Sequence, residues 1–299
     1  MCGGVVGQTT GDGIIDCSSS AEVIGSGMCV GGVIGYIWNN SSATNCYNTG
    51  NVTGGEHSTG GVVGYIHDDS SAINCYNTGN ITGTGEKNTG GVVGFIHDNS
   101  SLTNCYNTGK ITGKNGTGGI TGGAYNSSVE NCYNTGEITG KDYTGGVVGS
   151  GSIITKCYNT GKVTGTSTGG IVGDCFTGIP QDISLCYNSG TVQGAGQVGG
   201  ISGYLGAQGY AGKETKCYNK GNVICTTNSE EKGEIVGKMA NDANVTNCYF
   251  YTNDDSRYGV GVINSGGSSI ETQRAGTKRI TNNFNSLDEF ITWLGQQQN

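Results

Sequence analysis

A Cys-Tyr pair recurs at Cys46, Cys75, Cys105, Cys132, Cys157, Cys186, Cys217 and Cys248, at intervals of 25 to 31 residues, and Cys17 stands 29 residues ahead of the first. Units of this size cannot each bury a core, so they must stack on one another. Between the pairs lie glycine doublets beginning at Gly31, Gly60, Gly90, Gly118, Gly145, Gly169 and Gly199, each followed by Val or Ile. The chain holds 59 glycines and 1 proline in 299 residues. Each glycine costs a helix about 1 kcal/mol, and nearly every stretch of the array contains several. The single proline excludes collagen, and a hydrophobic fraction of 33 % spread along the chain argues against disorder.

The clearest unit reads as a strand Gly60 to Ile66, a turn His67 to Ser70, a strand Ser71 to Asn77 and a short strand Asn80 to Thr82. These properties predict an all-β fold: a parallel β-solenoid (β-helix) of about nine coils with three short strands per coil, about 40 Å long. Two apolar columns should line the core, one through Val33, Val62, Val92 and Ile120, the other through Val52, Ile81, Ile111 and Ile138. A third glycine column (Gly35, Gly64, Gly94, Gly122) implies crowded backbone or positive φ. An asparagine column (Asn48, Asn77, Asn107, Asn134) suits side-chain amides bonded along the stack. Ala72 and Leu102 stand three residues before a cysteine, so a regular strand would put the two on opposite faces, and a bulge or a bend at Asn74 is required.

The succession Gly-Gly-Val-Val-Gly, Asn-Cys-Tyr-Asn-Thr-Gly and Val-Thr-Gly resembles the GLUG-motif repeat of bacterial cell-surface proteins, and it recurs in phase from Gly3 to Tyr249. The resemblance implies surface display in an adhesin or stalk, with no catalytic residue and no cofactor in the repeat. The reading assigns 1–249 to the repeat array and 250–299 to a C-terminal cap over the end coil. Within the cap, Ser286 to Glu289 forms a capping box ahead of Phe290, Ile291 and Leu294, which predicts a short helix.

Charged residues are only 13 % and the net charge is -8 without a basic block, so no nucleic-acid partner is expected. No apolar run has the length of a membrane span, and the first residues lack the pattern of an export signal. Because repeat sequence begins at Gly3, the chain reads as an excised piece of an array.

The candidate binding residues are Tyr47, Tyr76, Tyr106, Tyr133, Tyr158, Tyr187 and Tyr218, which either stack within the wall or face outward as a stripe for sugar rings. The in-phase cysteines read as small buried side chains. His67-Asp68-Asp69 and His97-Asp98-Asn99 read as solvated turns, so no metal is assigned. Asp174, Cys175 and Asp182 are the nearest approach to a catalytic cluster and read as a loop insertion. The expectation is a non-enzymatic, extracellular surface scaffold that adheres to glycan, matrix protein or neighbouring cells. A passive stalk or filament subunit able to self-associate end to end is the alternative, and a polysaccharide-active β-helix enzyme the third choice.

Overall fold

The computed structural model describes residues 1–174, 180–206, 210–227, 230–240, 242–263 and 274–297. The chain winds into a parallel β-solenoid of about nine turns. One coil contains the strands Ser58–Gly60, Val63–Ile66, Ser71–Ile73, Tyr76–Asn77 and Ile81–Gly83. Each of the two longer strands read from the sequence is therefore divided. The first breaks at the doublet. The second breaks at Asn74, where φ is +55°. Asparagine tolerates this left-handed conformation, and Asn45, Asn104 and Asn131 adopt it at the same level. The required bend is thus present, and it turns both Ala72 and Cys75 inward to 0 % exposure.

Among the described residues, equivalent strands stack in four parallel sheets of 9, 8, 17 and 10 strands. Register is kept from coil to coil: Tyr76 pairs with Tyr47 and Tyr106, and Ile81 with Val52 and Ile111. The differences in period are absorbed elsewhere in the coil. Between the strands Thr121–Glu130 and Val148–Thr155, for instance, register steps between Ala124 and Ser128.

The two apolar columns fill separate cores. Val33, Val62, Val92 and the cysteines form the larger cluster, while Val52, Ile81, Ile111 and Ile138 form a smaller one with Val30. The in-phase cysteines from Cys46 to Cys248 are buried and unbridged, and thiols such as Cys75 Sγ point at carbonyl oxygens. Burial pushes the Cys132 and Cys186 thiols well above their ordinary pKa.

Beyond Tyr249 the strands Val260–Ile263 and Thr277–Arg279 pair with Val236–Met239 and Cys248–Phe250, adding part of a further turn. The helix Leu287–Gln296 follows, with Ser286 Oγ accepting from Glu289 N–H and Glu289 Oε2 accepting from Asn285 N–H. It lies along the flank of the solenoid instead of over the end coil. Leu287, Phe290 and Leu294 pack there against Tyr187, Tyr218 and Tyr249. Three successive tyrosines supply an apolar surface long enough for the helix, which explains this placement. Phe290→Ala should detach the helix at a cost of about 3–5 kcal/mol to its docking. Hydrogen exchange would show the loss as exposure of 284–297 with the coils still protected.

Candidate functional site

The tyrosine column is a stack of parallel rings. Centroids of Tyr47 and Tyr76, Tyr76 and Tyr106, Tyr106 and Tyr133, and Tyr133 and Tyr158 are 4.8, 4.8, 5.0 and 4.7 Å apart, with planes within 5° of one another. The ring faces are therefore taken up by neighbouring rings, and the half-exposed stripe presents ring edges. Tyr187 and Tyr218 leave the stripe altogether: they are 1 % and 0 % exposed beneath the helix, and their hydroxyls donate to Phe284 O and Asn282 O. A cleft of about 650 Å³ lies where Tyr133, Tyr158 and Tyr187 meet Ser286 and Asp288.

A second aromatic row, which the sequence reading passed over, stands on another face. Tyr36, Tyr65 and Phe95 are in register and stack at 5.2 and 5.5 Å. Burial between its neighbours pushes the Tyr65 hydroxyl up to about 12. The row borders a groove of about 570 Å³ that crosses five coils, from Met28 and Cys29 past His57, Lys87 and Asn115 to Tyr143. Phe95 pairs with Gly123, so the aromatic row ends there and the wall steps down to Ser150. Its signal in the sequence is an aromatic residue after each of Gly35, Gly64 and Gly94.

The third glycines bring the two strands beside the groove together. A Cβ on Gly94 would lie 2.4 Å from Gly64 O and 2.7 Å from Thr59 N. None of Gly35, Gly64, Gly94 or Gly122 has positive φ, so crowding is what requires glycine in this column.

The doublet and asparagine columns also depend on each other. The side chains Asn48, Asn77, Asn107, Asn134, Asn159, Asn188 and Asn219 are 0 % exposed, and the Nδ2 of each of the first six donates to the next Oδ1 at 2.8–2.9 Å. A Cβ on Gly61, Gly91 or Gly119 would lie 2.5 Å from the Cγ of Asn77, Asn107 or Asn134. The two columns end together: Phe250 follows Asn219 in register, and in that coil Glu234 replaces the second doublet glycine.

At the corner, His67 Nδ1 and Nε2 lie 3.0 and 3.1 Å from carboxylate oxygens of Asp68 and Asp98, and His97 Nδ1 lies 3.0 Å from Asp98. Cys175, from the acidic cluster read in the sequence, lies outside the described residues. No helix among the described residues is long and apolar enough to cross a membrane.

The GLUG motif matches this chain at residues 26–53, 55–82, 85–112 and 113–139. No curated protein and no solved structure gives a match. The matched segments contain the in-phase glycine, asparagine and Cys-Tyr columns, and the coils that follow keep the same register. Residues 26–139 thus carry four tandem segments that match the GLUG motif, within a longer β-solenoid.

Proposed function

We propose that this chain is a non-catalytic scaffold, displayed at the cell surface, that attaches to an extended neutral polymer such as a glycan. The groove carries the reading, because it runs along the solenoid axis across five coils and so matches a linear chain better than a compact ligand. Its lining mixes Tyr65 and Phe95 with the amides of Asn88 and Asn115, the apolar and hydrogen-bonding combination that sugars need. Contacts repeated along coils add avidity without a deep pocket. Surface display accords with the setting of proteins that carry this repeat, and antibody labelling of intact cells would test it.

A screen of the purified chain against soluble neutral polysaccharides tests the attachment. The variant carrying Tyr65→Ala and Phe95→Ala should lose at least about tenfold in affinity, while Tyr76→Ala with Tyr106→Ala should leave binding intact. Equal binding by the groove variant would remove the groove from the reading. Binding to no polymer would favour a passive stalk, whose function is rigid length.

A further inference from the structure

Glu214 occupies a column that Ala72, Leu102, Val129, Ile154, Ile183 and Val245 fill in other coils. It is 0 % exposed in the larger core. One carboxylate oxygen accepts from Ser202 Oγ at 2.5 Å, and the other, Oε1, has no hydrogen-bond partner among the described residues. An unpartnered oxygen on a buried carboxylate is costly, and a Val or Ile side chain would serve the packing at that level.

The chemistry around it is specific. A Glu214 carboxylate oxygen and the Sγ atoms of Cys217 and Cys248 lie within 4.8 Å of one another, all three residues fully buried. Ligands held at about 2.0–2.3 Å from one tetrahedral ion are roughly 3.3–3.8 Å apart, so a contraction of about 1 Å would close the set. The other aligned levels pair cysteines with apolar side chains, as at Ala72 and Leu102, and have no carboxylate in this column.

We propose that Glu214, Cys217 and Cys248 form a buried site for a divalent cation of the zinc class. Two sulfur ligands and one carboxylate suit a borderline-soft ion, whereas calcium and magnesium take oxygen donors. Binding replaces two thiol protons and, from the acid form, one carboxyl proton, all of which leave to solvent. The cation then offsets the cost of burying the resulting anions. Because the ligands are enclosed, the ion enters as the coils close during folding, and it ties together two successive levels beside the C-terminal segment.

The test is to refold the full chain from denaturant under reducing conditions with zinc, remove excess metal by dialysis and measure zinc by atomic emission. About one ion per chain is expected, with a higher denaturation midpoint than protein refolded with chelator. Cobalt loaded in the same way should give a thiolate-to-metal charge-transfer band. Glu214→Val, which suits the apolar column, should fold with unchanged circular dichroism and retain less than about a tenth of the metal. Cys248→Ala serves as a second variant, and Cys105→Ala should retain the ion. Refolded wild-type chain without zinc, or Glu214→Val with as much as wild type, would overturn the site.

Discussion

Gly94→Ala should unfold the middle of the stack. The added methyl would stand 2.4 Å from Gly64 O, 2.7 Å from Thr59 N and 2.9 Å from Ser58 C, all of them backbone atoms of the preceding coil. A methyl group has no rotamer in which to escape, and backbone hydrogen-bonded on both sides cannot withdraw. The cost should therefore exceed the roughly 1–3 kcal/mol of an ordinary overpacked side chain. Gly7 belongs to the same column, but a Cβ there meets nothing within 4 Å. Gly7→Ala should leave the urea midpoint nearly unchanged while Gly94→Ala lowers it sharply or prevents folding. Similar midpoints for the two variants would show that the column tolerates side chains after all.

Asn107→Leu should cost about 4 kcal/mol or more. The Asn107 amide donates to Asn134 Oδ1 and Gly109 O at 2.8 Å, and its oxygen accepts from Asn77 Nδ2 at 2.8 Å and Gly109 N at 3.3 Å. A leucine leaves these groups buried with one partner fewer, at about 1–3 kcal/mol for each group left unsatisfied. The larger side chain also presses on Gly91, whose added Cβ would already lie 2.5 Å from Asn107 Cγ. Asn107→Asp retains the shape but buries a carboxylate beside Asn134 Oδ1. Burial would raise that carboxyl's pKa in the folded chain above its unfolded value of about 3.9, so its penalty is small below that pH and grows as pH rises. Denaturation at pH 4 and pH 7 should separate the variants: the leucine deficit stays constant and the aspartate deficit widens. An aspartate deficit independent of pH would show that water reaches the column.

Period and column together made the solenoid legible. Apolar residues repeated every coil at Val62 and Ile81 have only one use in a stack, and the odd spacing of Ala72 and Cys75 called for the bend that Asn74 supplies. The flank position of the helix was not legible. A capping box marks where a helix starts, but Tyr187 and Tyr218 read the same in sequence as the half-exposed Tyr76. Their burial depends on Phe284 and Phe290 returning from far along the chain. The ring faces raised a different difficulty, because a column of tyrosines reads alike whether the faces or the edges meet solvent. Glu214 is an acid standing in register between Ile183 and Val245, a break in an otherwise apolar column that is visible in the sequence.

Like-on-like register has a genealogical consequence. Tyr76 meets Tyr47 on one side and Tyr106 on the other, and Asn77 likewise meets Asn48 and Asn107, so one inter-coil junction closely substitutes for the next. Unequal crossing-over between the similar stretches of gene that encode these levels would insert or delete a whole period without creating an unfamiliar contact. Each such event changes the rod by about 4.8 Å. Its length can drift in lineages by copying alone, with selection acting afterwards on reach.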